Sequence, residues 1–225
     1  MAMIGETSKK ALVADDHELY REGLAQFLKD EMSFSEVGEA ATLDEAMSWL
    51  DTQGDVELAL FDLSMPGMIG PQSLQALHAG YPDMKVAIVA ASEAKRDVIA
   101  AIAAGLNGYI PKTLKRDELL SALQAVLDGQ IYVPKLMLVY EHDLAKPVDG
   151  LSVGRQPKDM TVADPQQRLT PRQREVLDCI KVGLSNPEIS RRMGISVRTV
   201  KIHVGHLLRL FHVHSRMDLA LHDKK

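Results

Sequence analysis

Residues 57–62 read Glu-Leu-Ala-Leu-Phe-Asp, a short apolar run that ends on a carboxylate. A run of this length with no alternation suits a strand buried on both faces, as in a parallel sheet covered by helices. Its acid, Asp62, would then stand at the carboxyl end of the strand. Working outward, comparable runs occur at Ala11–Asp15, Phe34–Glu39, Lys85–Ala90 and Gly108–Pro111. Apolar residues recur at helical spacing between them: Tyr20, Leu24, Phe27 and Leu28, then Leu43, Ala46, Met47 and Leu50, and finally Leu119, Leu120, Leu123 and Val126. Five strands joined through helices pair in parallel with right-handed crossovers. The expected fold is α/β, a doubly wound five-stranded parallel sheet.

This α/β region takes up little more than half of the 225 residues, which leaves room for a second, smaller domain. The net charge of −5 hides an asymmetry between the two parts. Residues 1–145 carry 11 Lys+Arg against 23 Asp+Glu, net −12, whereas 146–225 carry 15 against 8, net +7. Only the basic tail is therefore suited to a polyanion such as nucleic acid. The single cysteine, Cys179, excludes an internal disulfide and a Cys-rich zinc site, and its place between Leu177 and Ile180 reads as core. No apolar run approaches the ~18 residues of a membrane span, and Met1–Lys10 lacks a secretory h-region. A cytoplasmic protein with no membrane partner is expected.

Residues 146–167 hold Pro147, Gly150, Gly154, Pro157 and Pro165 without a sustained apolar period and read as linker. The apolar stretch Ile131–Tyr140, interrupted by Pro134, reads as a short segment docked on the first domain. Domain limits of 9–130 and 168–225, with 131–167 between them, follow. The second domain is marked by helix signals. Thr170, Pro171 and Gln173 form a capping box with proline at the first helical position, for a helix to about Val182. Ser185 and Glu188 form another, and Gly194 closes that helix after Met193. Ser196 or Thr199 opens a third helix, to about Phe211. Short helices joined by such turns predict an all-α helix-turn-helix domain.

Ligands of an open α/β sheet bind at the carboxyl ends of its strands. Asp15 and Asp16 end the first strand there, Asp62 ends the third, and Lys112 follows the fifth. Taken singly, each is as well a solvated strand-end group, and Asp16 could cap the helix after it. Converging acids ionise together only with a cation among them, and an oxygen-rich set suits Mg²⁺.

Through "VADDHELYREGL", "LFDLSMPGMIG" and "GLNGYIPK" the chain resembles the receiver domain of two-component response regulators over about residues 10–130. The resemblance implies a flavodoxin-like fold and a phosphoacceptor at Asp62, phosphorylated by a sensor histidine kinase. It also implies Mg²⁺ held by Asp15, Asp16, Asp62 and the backbone carbonyl of Ser64, a phosphoryl-pairing Lys112, and an aromatic switch at Tyr109. One position departs. The Ser/Thr that usually ends the fourth strand falls on Ala90, which has no hydroxyl for a phosphoryl oxygen. Ser92 would lie roughly 6–7 Å further along an extended strand.

Residues 168–220 resemble the LuxR-type helix-turn-helix through "LTPRQREVL", "GLSNPEISRRMGIS" and "RTVKIHVGHLL". Together the two halves resemble a regulator of the NarL/FixJ class, which implies double-stranded DNA as partner and a homodimer, formed through the last helix, when active. The expected DNA contacts are Arg198, Thr199, Lys201, Ile202, His203 and Arg209, with Lys201 as principal reader and Ile202 suited to a thymine methyl. His203 reads more readily as a packed or solvent-facing histidine than as a phosphate contact. Arg191 and Arg192 add basic surface, and Val200, Val204 and Leu207 are core. Gly205, Leu210 and His212 depart from the family's more usual residues. An alternative is an atypical regulator whose receiver works without phosphate, favoured by Ala90 and opposed by the intact acids. A Mg²⁺-dependent phosphatase using Asp62 would need a second acid where Ser64 stands. With P-loop and dinucleotide fingerprints absent as well, the chain is not expected to be an enzyme.

Overall fold

A computed structural model of the chain describes residues 9–53, 55–68, 70–134 and 169–221. The interdomain stretch 146–167 and most of the Ile131–Tyr140 segment lie outside them.

Five parallel strands, β1 (Lys10–Ala14), β2 (Glu36–Ala40), β3 (Leu58–Asp62), β4 (Lys85–Ala90) and β5 (Gly108–Pro111), form one sheet in the order β2-β1-β3-β4-β5. The order reverses at β1, which places a ligand crevice beyond its carboxyl end and that of β3. Strand alternation splits the buried side chains between two faces. Ala11, Val13, Leu58 and Leu60 point to the side covered by α1 (Glu18–Met32) and α5 (Arg116–Leu127). Leu12, Ala14, Ala59 and Phe61 point to the side of α2 (Leu43–Thr52), α3 (Gln75–Gly80) and α4 (Lys95–Ala103).

β2 starts later than its apolar run suggests. Ser33 takes the left-handed conformation that closes α1, and the Phe34 amide is held by the Leu28 carbonyl, so Phe34 is buried under the helix instead of joining the ladder. The docked segment is seen at Tyr132. Its carbonyl accepts from the Tyr109 amide and its amide donates to the Asn107 carbonyl, continuing the sheet past β5 by one bridge.

The second unit is helical: α6 (Pro171–Lys181), α7 (Asn186–Met193), α8 (Val197–Leu210) and α9 (Arg216–Leu221). Both capping boxes form, at Thr170/Gln173 and Ser185/Glu188. Gly194 ends α7 at φ 65°, a conformation that costs glycine no Cβ clash. Ser196, not Thr199, caps α8, its side chain accepting from the Thr199 amide. Val176, Cys179, Ile180, Ile189, Val200, Leu207 and Leu219 make this unit's own core.

Ile202 is the exception. It leaves that core and joins the cluster of the α/β unit that contains Leu50, Leu74 and Leu77. The helical unit thus lies on the α2/α3 side of the sheet, with α8 innermost.

Candidate functional site

The strand ends bring the expected acids and lysine together. Asp15 follows β1, anchored by its amide to the Ala40 carbonyl, and Asp62 is the last residue of β3. Both are almost wholly buried, at 1% and 3% exposure. Lys112, just past β5 and held by its amide to the Ala90 carbonyl, places Nζ 2.5 Å from Asp15 Oδ2 and 2.9 Å from Asp62 Oδ1. Burial opposes the charge on Lys112, but its hydrogen bonds to the two acids outweigh that and raise its pKa. It is a fixed cation between two carboxylates. The Ser64 amide donates to the other Asp62 oxygen at 2.7 Å, which orients the carboxylate from the loop side.

Asp16 is exposed. Its carboxylate meets His17 Nδ1 at 2.9 Å, and Asp15, Asp16 and His17 form a compact donor cluster. Buried carboxylate oxygens that outnumber nearby cations form a hard-oxygen site of the kind that suits a divalent ion. Three neighbours were missed in the sequence. His17 bonds Asp15 through its amide at 2.9 Å, Arg21 donates to the Asp15 carbonyl at 2.7 Å, and the Tyr20 ring lies 4.7 Å from Lys112 Nζ. Burial, then Asp15 and Asp62, pushes the Tyr20 hydroxyl up to about 12, so it stays neutral. The i, i+4 and i+5 spacing of Asp16, Tyr20 and Arg21 was the available signal.

Ala90 is buried at the end of β4, and the strand stops there. Ser92 therefore does not continue along the ladder. It is exposed, with its hydroxyl accepting from the Ala94 amide. Tyr109 is fully buried, and its hydroxyl donates to the Ser92 carbonyl at 2.7 Å. Burial, then Asp97, Asp62 and Glu93, pushes it up to about 12. The aromatic side chain is already inside, although β5 is the last strand of the sheet.

The expected DNA contacts divide. Lys201 is exposed on α8 and free to meet a partner. Thr199, Ile202 and His203 are not, with exposures of 2%, 1% and 1%. In this arrangement the α/β unit covers them, through Asp51 on Thr199, the α2/α3 cluster on Ile202 and Asp44 beside His203. Ile202 fills the gap between α2 and α3, an apolar contact that periodicity on α8 alone could not distinguish from a groove-facing position. Asp51 on α2 accepts from the Thr199 hydroxyl at 2.6 Å, the Ser196 hydroxyl at 2.7 Å and the Ser196 amide at 3.1 Å. Asp44, also on α2, accepts from the Thr170 hydroxyl at 2.6 Å and lies 3.8 Å from His203 Nδ1. Arg198 lies 4.1 Å over the Tyr81 ring, and Arg209 donates to Gln75 Oε1 at 2.8 Å. None of Asp44, Asp51, Gln75 or Tyr81 carried a sequence signal, because their partners lie more than a hundred residues away.

Comparison with known proteins agrees with this geometry. Residues 11–124 match the response regulator receiver domain, and 167–222 match the bacterial regulatory proteins of the luxR family. The chain belongs to the response regulators. The regulator is 35% identical to the glycerol metabolism activator of Pseudomonas putida over 94% of this chain and 93% of that one. It is 32% identical to the nitrate/nitrite response regulator protein NarL of Escherichia coli K12 over 93% and 92%. A LuxR family DNA-binding response regulator from Silicibacter pomeroyi superposes with TM-score 0.50 at 29% identity, over 57% of this chain and 98% of that one. RcsB of Salmonella typhimurium, at 20% identity and TM-score 0.53 over 96% and 97%, shares the fold. The regulator is thus a DNA-binding transcriptional protein built of a receiver and a LuxR-type helix-turn-helix. Among the described residues no helix is long and apolar enough to cross a membrane.

Proposed function

We propose that this response regulator is controlled by Mg²⁺-dependent phosphorylation of Asp62 by a sensor histidine kinase. The observation that carries the reading is the Lys112 ammonium fixed between Asp15 and Asp62 at the mouth of the sheet. An Asp62 oxygen attacks the donor's phosphorus. The new O–P bond forms as the P–N bond to the kinase histidine breaks, and the imidazole leaves with the electron pair. Lys112 faces the charge on the phosphoryl oxygens, and the Ser64 amide holds the carboxylate for attack. Asp15, Asp16, Asp62 and the Ser64 carbonyl would hold Mg²⁺, which would supply further positive charge to those oxygens. Tyr20, kept neutral, walls one side of the lysine. The protein itself acts as a phosphoryl acceptor and DNA-binding switch in the cytoplasm, not as an enzyme with a released product.

In the closed arrangement Thr199, Ile202 and His203 are sealed, so phosphorylation acts by releasing α8. The released form binds duplex DNA as a homodimer. α9 offers Met217 and Leu221, 72% and 52% exposed at i, i+4 spacing, as an apolar contact for the second copy. Intact-mass spectrometry with acetyl phosphate tests the chemistry. One phosphoryl group is expected with Mg²⁺ and none after EDTA or in Asp62→Asn, and undiminished uptake by the Asn variant would move the acceptor elsewhere.

A second reading, phosphate-independent signalling through receiver contacts, is favoured by Ala90 together with Tyr109, which is buried without a Ser/Thr hydroxyl to follow. DNA affinity indifferent to a phosphorylated Asp62 would select it.

A further inference from the structure

We propose that Asp51 and Asp44 hold the regulator closed by standing where DNA-backbone phosphates stand in the open form. The inference rests on the DNA-binding reading of α8 and names what the receiver imitates.

The row on α8 is Ser196, Thr199 and His203, at i, i+3 and i+7, and so on one side of the helix. Its first turn presents an amide and two hydroxyls to a single anion. Asp51 fills that place, its two oxygens accepting from the Ser196 amide, the Ser196 hydroxyl and the Thr199 hydroxyl. Backbone amides, Ser/Thr hydroxyls and a helix N-terminus are the groups that fix a DNA phosphate. The carboxylate thus has the partners that a phosphodiester oxygen pair would have.

The position of Asp51 on its own helix supports the same conclusion. It lies in the last turn of α2, which has no basic residue there, and a negative charge at a helix C-terminus is opposed by that helix's dipole. Nothing within α2 favours an acid at 51. Within the α/β unit the Tyr81 hydroxyl reaches it at a long 3.4 Å, and its shorter bonds all come from Ser196 and Thr199 at the positive end of α8.

One turn further along α8, the match is incomplete. His203 is 1% exposed, yet its Nδ1 and the facing Asp44 Oδ1 have no hydrogen-bond partner among the described residues and stop 3.8 Å apart. A buried polar group left unpaired is costly, so a side chain shaped only for the closed form would be apolar or fully bonded. Unpaired here, His203 continues the row toward a ligand that the receiver reproduces imperfectly. Asp44 and Asp51 are seven residues apart on one face of α2 and run antiparallel to the row, Asp51 against Ser196 and Thr199 and Asp44 against His203. The receiver presents α8 with two negative charges in line.

The test uses the full chain without phosphodonor and a fluorescein-labelled 30-bp duplex of mixed sequence, with anisotropy for affinity and sedimentation velocity for opening. Asp51→Asn keeps the size and removes the charge. It is expected to sediment more slowly and to bind the duplex at least tenfold more tightly than the wild type, with unchanged circular dichroism. Thr199→Val is then added. If the hydroxyl serves Asp51 and phosphate in turn, the double variant stays open but loses most of the gained affinity. An open double variant that binds as tightly as Asp51→Asn would show that Asp51 is a latch away from the phosphate site and would overturn the mimicry. So would an Asp51→Asn chain unchanged in both readouts, provided Asp51→Lys, which reverses the charge, is also unchanged. Opening without duplex binding in any variant, phosphorylated wild type included, would reject the DNA-binding reading and the mimicry with it.

Discussion

Ala90 shows how much one missing oxygen can decide. It ends β4 in full burial, its carbonyl receives the Lys112 amide, and the next hydroxyl along the chain, on Ser92, is engaged with Ala94 outside the strand. Nothing at position 90 can therefore bond a phosphoryl oxygen on Asp62. A hydrogen bond to a charged group contributes ~1.5–3 kcal/mol, which is roughly a tenfold or greater bias between two states. Ala90→Thr is expected to strengthen the rise in DNA affinity that acetyl phosphate produces by about tenfold, as read by duplex titration of both proteins with and without donor. An unimproved response would assign the switch to another group. Lys201 is the complementary case. Exposed on α8, it needs no opening to be reached, and Lys201→Ala should cost ~1–3 kcal/mol against operator if it reads a base. Loss that is equal on random DNA would make it a phosphate contact.

Helix α2 connects the two domains. It carries Asp44 and Asp51 outward, and its inner face packs on β2, where Gly38 lies under the Trp49 indole. A Cβ at Gly38 would meet the ring at 2.2 to 2.6 Å, far inside contact distance. Trp49 is partly buried and packed against the core. Gly38→Ala should thus push α2 off the sheet, with a stability loss of ~1–3 kcal/mol by urea titration. It should also raise the unphosphorylated chain's DNA affinity, since the displaced helix carries both acids. A variant as stable and as closed as the wild type would mean that β2 has room to move instead.

For the molecule as a whole, closure should depend on pH through His203. Burial lowers its pKa in the closed form, outweighing Asp44; Arg172 on α6 lowers it further, and Asp51 opposes. In the open form the imidazole returns to its ordinary value near 6.5. The closed form therefore binds fewer protons. Closure meets no penalty above pH 6.5 and is increasingly opposed as pH falls below it, until the lowered closed-form value is passed. Sedimentation at pH 7.5 and 5.5 should show the wild type opening on acidification and His203→Gln responding less. Equal shifts in both would assign the effect to other groups.

Local periodicity and caps were enough for the five strands, the α8 cap region and the strand-end acids, because each is set by neighbours a few residues away. The apolar run ending at Asp62 already placed a carboxylate at the mouth of the sheet, and Lys112 followed in the same way from the run Gly108–Pro111 before it. The covering of Thr199, Ile202 and His203 was not legible. Ile202 is apolar on a helix whose other apolar residues serve a different core, and Asp44 and Asp51 are ordinary helical acids until α8 is laid against them. A residue's spacing along one helix records which side it occupies, but the partner of that side comes from the other domain. Tertiary packing alone decides that, by burying Ile202 between α2 and α3 and bringing two acids into line with the row that begins at Ser196.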